Sequence, residues 1–312
     1  MKMPIARAVL SALFFLFILP VQAEPIQVTL ATATRGGGFT LFGDVAAAAI
    51  NAADGSISVS THNTKGSVEN IGLLEEGKFD IGLVQGVAAY EAFTGIGRQP
   101  ADLKVIAAIY SSPGMFAVRG DSSARSVGDL VGKPIAWGTR TSGLTLMAKY
   151  VMDGLGLKRD ADFEPHFLEK AGDGPGMVRE GRVAALWGAG IGWPGFTKVM
   201  ASGGRLMGFS ADEIKAVTAK YSFLKSMTVP AGAYEGQREP VNTVGVWSYI
   251  LARPDLPDDT GYRLAKALHM GQSAMVSRLD QARETTPANT RGAADADKIH
   301  PGVERYLRDL GL

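Results

Sequence analysis

Three short loops of this sequence combine glycine, hydroxyl side chains and one cation, a set of residues suited to binding an anion. Glycine lets backbone N–H groups approach a ligand closely. Each loop also precedes a predicted helix, whose free N–H groups and dipole favour negative charge. The cations are Arg35, Lys65 and Arg140, and a carboxylate or a similar anion is the leading ligand class. The loops are TRGGGFT (34–40), NTKGS (63–67) and GTRTSG (138–143).

The first loop does not fit a nucleotide. After Gly36 and Gly38, a dinucleotide-binding fingerprint needs a third glycine where this chain has Leu41. The segment GDLVGKP (128–134) lacks one residue between its glycines, and it has proline where a phosphate loop needs serine or threonine. The spacing therefore favours a small organic anion over a pyrophosphate.

Residues suited to catalysis or to metal binding are sparse. The four histidines, at positions 62, 166, 269 and 300, show no metal-type pairing, and the chain has no cysteine. The segment GQSAM (271–275) lacks the final glycine of a nucleophile elbow. We expect a binding protein with no cofactor and no metal. Two alternatives stay open: a secreted hydrolase or transferase on the same fold, and a receptor that docks on a membrane sensor.

The N-terminus has the pattern of a secretory signal peptide. Lys2 and Arg7 precede an apolar run (8–19), and small residues allow cleavage near Ala23. The run is shorter than the roughly 20 residues that span a bilayer. Removing residues 1–23 takes Lys2 and Arg7 away and changes the net charge from +1 to −1, so the charge does not indicate a nucleic-acid partner. The predicted location is the periplasm.

Alternating strand and helix patterns predict two α/β lobes with a ligand cleft between them. From residue 26 to 85 the order is strand, helix, strand, helix, strand, which is typical of a mostly parallel sheet covered on both faces. A strand at 103–110 leads to the segment 114–120, where the chain passes to a second unit, and the strand at 242–253 returns to the first. The predicted units are lobe I, residues 24–115 plus 245–312, and lobe II, residues 116–244.

Hydroxyl and aromatic residues mark further candidate positions. Ser67 is predicted to cap a helix that ends near Glu76, and Thr141 or Ser142 to cap a second helix. Tyr110 ends a predicted strand on the cleft side. Trp193 lies between a glycine and a proline in a glycine-rich turn, a setting less typical of core packing than of a cleft or hinge.

Four segments carry motifs that occur together in one family. TKGSVENIGLLEEGKFDIGLVQGVAAYEAFTG (64–95) is similar to its GGSVEN turn and D-x-x-x-V-Q strand, and SVGDLVGKPIAWGTRTSG (126–143) to its D-L-x-G-K and G-x-x-x-S-G loop. VPAGAYEGQREPVNTVGVW (229–247) and IHPGVERYLRDLGL (299–312) are similar to its GxYxGQ…TVG segment and its closing H-P-G. The chain thus resembles the TAXI-family solute receptors of tripartite ATP-independent periplasmic (TRAP) transporters through almost all of its mature length.

The resemblance implies a type II-like periplasmic-binding-protein fold and a receptor without catalytic groups. Such a receptor captures a small organic anion or an amino acid such as glutamate, and delivers it to the membrane subunits of a TRAP permease. Arg35, Lys65 and Arg140 stand where the family usually has neutral residues, which favours a more anionic ligand such as a dicarboxylate or a sulfonate. The predicted ligand contacts are Arg35, Gly36, Gly37, Gly38, Phe39, Thr40, Thr64, Lys65, Ser67, Gln85, Tyr110, Thr139, Arg140, Thr141, Ser142 and Trp193.

Overall fold

The structure, a computed structural model, describes residues 24–312, and the predicted signal peptide at 1–23 lies outside the described residues. Within the described chain, no helix is long and apolar enough to cross a membrane. Ten strands of this part of the chain form one mixed sheet. The strands are β1 Ile26–Ala31, β2 Ile57–His62, β3 Ile81–Gln85, β4 Lys104–Val118, β5 Pro134–Gly138, β6 Glu164–Phe167, β7 Ala185–Ala189, β8 Arg205–Met207, β9 Lys225–Val229 and β10 Val241–Ala252.

Eleven α-helices of residues 24–312 cover this sheet. They are α1 Gly38–Ala53, α2 Ser67–Glu75, α3 Gly86–Thr94, α4 Gly143–Gly154, α5 Gly174–Arg179, α6 Pro194–Ala201, α7 Ala211–Lys220, α8 Asp258–Met270, α9 Gln272–Val276, α10 Pro287–Ala293 and α11 Pro301–Asp309. Short 3-10 turns lie at Gly128–Leu130, Ala171–Asp173, Asp280–Glu284 and Ala296–Lys298.

The sheet runs through both lobes in the order β2-β1-β3-β10-β4-β7-β5-β6, with β8 beside β4 and β9 beside β10. In the first lobe β1 pairs in parallel with β2 and β3, and in the second lobe β5 pairs in parallel with β6 and β7. Parallel strands end at the same edge of a sheet, so the loops after β1, β2 and β5 lie where open α/β sheets bind ligands. The predicted strand-helix order from 26 to 85 is confirmed.

Two long antiparallel strands, β4 and β10, join the lobes. β4 has 15 residues and β10 has 12, which at about 3.3 Å per residue span roughly 50 and 40 Å. That length is enough to pass through both lobes. The strand predicted at 103–110 therefore continues to Val118, because the chain passes between the lobes without a loop.

Each lobe has its own apolar core. In the first, Phe42, Leu30 and other fully buried side chains pack between the sheet and helices α1, α8 and α11. In the second, the rings of Phe116, Trp137 and Trp187 lie within 6.3 Å of one another. Aromatic pairs at this separation add to the stability gained by burying their surface. The prediction of two α/β lobes with a cleft between them is confirmed.

Candidate ligand-binding site

A cavity lies between the lobes at the ends of the strands that precede α1, α2 and α4. It comprises about 650 Å³ of space between protein atoms, part of which is continuous with solvent. The lining residues come from both lobes and from the two strands that join them. They are Ala33, Thr34, Gly37, Gly38, Phe39, Lys65, Gly66, Ser67, Gln85, Tyr110, Ser112, Gly138, Thr139, Ser142, Gly143, Leu144, Leu168, Ala171, Ala189, Trp193 and Ser248.

The glycine loop after β1 brings backbone and aromatic donors together at the start of α1. The Gly37 N–H donates to the Thr34 carbonyl at 3.1 Å, which closes the turn before the helix. A Cβ added at Gly38 would lie 3.1 Å from Cδ1 of Trp193 and 3.6 Å from the hydroxyl of Tyr110. The Trp193 ring therefore packs closely beside Gly38, and the Tyr110 hydroxyl lies at ordinary contact distance. A group bound above Gly38 would meet both ring donors.

The turn after β2 is held in place by buried side chains of α2. Asn70 is fully buried, and its amide donates to the carbonyls of Thr32 and Leu83 at 2.8 Å each. The Thr64 hydroxyl donates to the Asn70 side-chain oxygen at 2.6 Å and accepts from the Gly66 N–H at 3.2 Å. The turn that carries Lys65 is thus tied to β1 and β3, and Lys65, an exposed residue, is among those that line the cavity.

The start of α4 forms the opposing wall from the second lobe. The Ser142 hydroxyl accepts from the Thr145 N–H, so the predicted capping by Ser142 is confirmed. A Cβ added at Gly143 would lie 2.4 Å from Cβ of Gln85, so glycine is required where α4 meets the first lobe. Ser67 does not cap α2, because its hydroxyl instead accepts from the Gln85 N–H at 3.1 Å.

The floor of the cavity is formed by the joining strands. The hydroxyls of Ser112 on β4 and Ser248 on β10 are hydrogen-bonded at 2.8 Å. Tyr110 is 95 % buried (5 % exposed), and burial raises the pKa of its hydroxyl well above the usual range. The Tyr110 hydroxyl is therefore a neutral donor at physiological pH. It forms no hydrogen bond with another of the described residues, and neither does Nε1 of Trp193.

The field in the cavity favours an anion. Helices α1, α2 and α4 all begin at lining residues, and their first N–H groups carry partial positive charge. Among the described residues, Lys65 is the one charged side chain that lines the cavity, and no aspartate, glutamate or histidine does. Such a lining suits one negatively charged group. No cluster of residues in 24–312 could hold a metal ion.

The structure brings most of the predicted ligand contacts to this cavity. Ten of them line it: Gly37, Gly38, Phe39, Lys65, Ser67, Gln85, Tyr110, Thr139, Ser142 and Trp193. Six others lie around it without lining it: Arg35, Gly36, Thr40, Thr64, Arg140 and Thr141.

Two of the three predicted cations are directed elsewhere. Arg35 is exposed outside the cavity. The Arg140 guanidinium lies over the ring of Phe167, 4.1 Å from its centroid, where a cation is attracted by the face of the ring. Thr40 and Thr64 serve local turns, the former by donating to the carbonyls of Ala33 and Thr34.

The remaining two, Gly36 and Thr141, contact the opposite lobe. The Thr141 carbonyl accepts from the Val68 N–H at 3.1 Å, and its hydroxyl donates to the Lys65 carbonyl at 3.3 Å. The Thr34 hydroxyl accepts from the Ala171 N–H at 3.2 Å. The lobes therefore contact each other directly across the mouth of the cleft.

Several lining residues were not predicted from the sequence. Leu144, Leu168 and Ala189 give the cavity an apolar wall, and Ser112 and Ser248 form its floor. The two serines lie 136 positions apart and meet through the antiparallel pairing of β4 with β10. A serine within an apolar strand pattern was the one sequence signal for these two lining positions. It does not show which strand pairs with it.

This fold, with two α/β lobes, a shared cleft and two joining strands, is that of periplasmic binding proteins. The chain belongs to the NMT1-like family, which matches residues 30–311.

Solved structures with the same fold include sulfonate-binding proteins. The periplasmic aliphatic sulphonate binding protein SsuA from Escherichia coli is 17% identical, with a TM-score of 0.53 over 92% of this chain and 84% of that chain. The alkanesulfonate-binding protein SsuA from Xanthomonas axonopodis pv. citri, bound to MOPS, is 16% identical, with a TM-score of 0.52 over 92% and 85%. A periplasmic transporter is 16% identical, with a TM-score of 0.57 over 93% and 94%.

Proposed function

We propose that this protein is a periplasmic solute receptor that captures a small organic anion and delivers it to the membrane subunits of a TRAP permease. One observation carries the proposal: the cavity between the lobes is lined by one cation, Lys65, and by the starts of three helices, with no acidic side chain from residues 24–312. The sulfonate-binding proteins of the same fold support the same class of ligand.

Lys65 is the proposed partner of the anionic group. It lines the cavity, and it takes part in none of the ion pairs between described residues. Tyr110 and Trp193 add neutral donors, and the N–H groups at the start of α1 add partial positive charge. The anion would lie above Gly38, where these groups converge.

We further propose that lobe I comprises residues 24–115 plus 245–312, and lobe II residues 116–244. In β4, Ile109 belongs to the first apolar core and Phe116 to the second. In β10, Val246 belongs to the second core and Ile250 to the first. Both changes of core fall near the proposed boundaries, and a cleft that closes about these strands would hold the ligand between the lobes.

Assignment to the TAXI family, export after cleavage near Ala23 and use of a TRAP permease rest on the sequence motifs. The GSVEN turn corresponds to the Lys65 wall of the cavity, and the HPG ending places His300 at the start of α11. A receptor role is proposed over an enzyme because the lining offers neither a general base nor a metal site within 24–312.

A thermal-shift screen tests the binding step. We expect carboxylates and sulfonates to raise the melting temperature, since a ligand at about 100 times its Kd adds roughly 2.7 kcal/mol of stability. Neutral sugars and nucleosides serve as controls. A panel in which sugars or nucleosides stabilise the protein and no anion does would refute the proposal.

Uptake of a labelled anion into cells tests delivery. A TRAP permease is driven by an ion gradient, so uptake that requires this protein should stop when the gradient is dissipated and continue when ATP is depleted. Uptake that stops when ATP is depleted and continues without the ion gradient would exclude a TRAP partner. It would not contradict the anion-receptor function.

A further inference from the structure

Three lining residues bring hydrogen-bond donors to the cavity, beside hydroxyl groups that can both donate and accept. Lys65, the Tyr110 hydroxyl and Nε1 of Trp193 can all donate, and neither ring donor has a partner among the described residues. The ring donors also converge, since both lie within 4.0 Å of the position that a Cβ of Gly38 would take. Together with the first N–H groups of α1 they form one pocket for negative charge.

Among the described residues, no carboxylate that could pair with an ammonium group belongs to the same lining, whose oxygen acceptors are neutral hydroxyl, amide and carbonyl groups. A buried ammonium group needs a carboxylate or a full set of acceptors, since an unpaired buried charge is very unfavourable. No aspartate or glutamate of the described chain lines the cavity.

The nearby carboxylates are already engaged elsewhere. Glu69 accepts from the Lys65 backbone N–H. Glu284 accepts from both the N–H and the hydroxyl of Ser111. Ser111 is next to Ser112 on β4, and successive strand residues point to opposite faces, so Glu284 lies across the strand from the cavity.

Apolar side chains supply the remaining contact surface. Phe39, Leu144 and Leu168 line the cavity beside the rings of Tyr110 and Trp193. These side chains favour burial of a hydrocarbon body and offer nothing to a second charged group.

We propose that the ligand is an organic acid that carries no ammonium group, and that this cavity rejects the corresponding amino acid. The proposal rests on the proposed anion-receptor function and narrows its ligand class, since glutamate and other α-amino acids would be excluded. The discrimination arises from the missing carboxylate and not from size, because an α-ammonium group adds a single heavy atom.

Matched ligand pairs test the proposal by isothermal titration calorimetry on the mature protein. The pairs are glutarate with glutamate, 4-methylpentanoate with leucine, and 3-phenylpropanoate with phenylalanine. Each pair differs by one α-ammonium group. We expect at least one amine-free acid to bind, and its amino acid to bind at least about a hundredfold more weakly, because its ammonium group would be buried without a partner.

A variant with its own control tests the cause. Ser142→Asp adds a carboxylate to the lining and keeps the cap of α4, because aspartate caps helices as well as serine does. Ser142→Asn has nearly the same shape without the charge. Relative to Ser142→Asn, Ser142→Asp should lower the preference for the amine-free acid by about tenfold to a hundredfold, the effect of one charge-assisted hydrogen bond.

The outcomes separate the two proposals. An amino acid that binds the parent protein within about threefold of its amine-free partner, or more tightly, overturns this inference and leaves the anion receptor standing. Equal preferences in Ser142→Asp and Ser142→Asn would also overturn the stated cause. If neither the acids nor the amino acids bind while sugars or nucleosides do, the anion-receptor function itself fails.

Discussion

Gly36 of the first lobe faces Gly172 of the second, and this contact allows closure to be tested by one methyl group. A Cβ added at Gly36 would lie 2.7 Å from Cα of Gly172 and 3.0 Å from its N atom. Carbon atoms pack best at about 3.5–4.0 Å, so Gly36→Ala cannot keep the lobes at their present separation. The substitution should favour a more open cleft.

The expected size of the effect follows from two contributions. Gly36 has φ +83°, and alanine in that region is disfavoured by about 1–2 kcal/mol whether the cleft is open or closed. The clash adds about 1–3 kcal/mol, and this part acts on the closed state alone. The ratio of closed to open protein should therefore fall roughly 5- to 150-fold.

Gly132→Ala separates the two contributions. Gly132 has φ +73°, and a Cβ there would meet nothing within 4 Å. Both variants should lose similar unfolding free energy in urea. Gly36→Ala alone should also bind the anion found by thermal shift more weakly, by the same factor as the change in closure.

Spin labels give a direct readout of the opening. The chain has no cysteine, so Ala48→Cys in α1 and Arg179→Cys in α5 introduce two unique and exposed labelling sites. Pulsed electron-spin resonance should show longer distances for Gly36→Ala than for Gly132→Ala at saturating anion. If the two distance distributions and affinities are the same, the lobes do not close through this contact and the reasoning fails.

Two further predictions concern charge. Lys65→Met should weaken anion binding about tenfold to a hundredfold, the value of one charge-assisted contact. The Kd of Arg35→Ala should stay within about threefold of the parent value. If calorimetry shows a larger loss of affinity for Arg35→Ala than for Lys65→Met, the anion binds at the outer rim of the cleft. His300 lies 99 % buried (1 % exposed), and burial lowers its pKa below the ordinary value near 6.5, although its bond to the Leu256 carbonyl partly opposes this. As the pH falls from 7.5 to 5.5, the imidazole of His300 takes up a proton in the unfolded chain and stays neutral in the folded chain. The unfolding free energy measured in urea should therefore fall more for the parent than for His300→Asn, by up to about 1.4 kcal/mol per pH unit. Equal losses would mean that His300 is protonated in the folded protein.

Much of the first lobe was predictable from local patterns. The strands at 26–31 and 57–62 have the predicted bounds, because β-branched and alternating residues favour a pleated, half-buried strand. The cap at Ser142 was also predictable, since a serine oxygen satisfies a free N–H at a helix start wherever the helix packs. Such features depend on residues a few positions apart.

The cap expected at Ser67 shows the limit of these local rules. The Ser67 hydroxyl could accept either from an N–H at the start of α2 or from a residue of another element. It accepts from the Gln85 N–H at the end of β3. The single strand β4 shows the same limit. Proline and glycine, as at positions 113 and 114, are typical of a turn, but pairing with β10 holds this segment in the strand.

The composition of the cavity was decided by packing between distant segments. A loop sequence shows that a cation is present but not where its side chain points. Phe167 lies on β6, 24 positions after the end of the 138–143 loop, and the Arg140 guanidinium packs over its ring. Lys65 is among the lining residues, and Asn70 and Thr64 hold its turn against β1 and β3. Local patterns therefore indicated where a ligand could bind, and contacts between residues distant in the sequence determined which cationic residue lines that site.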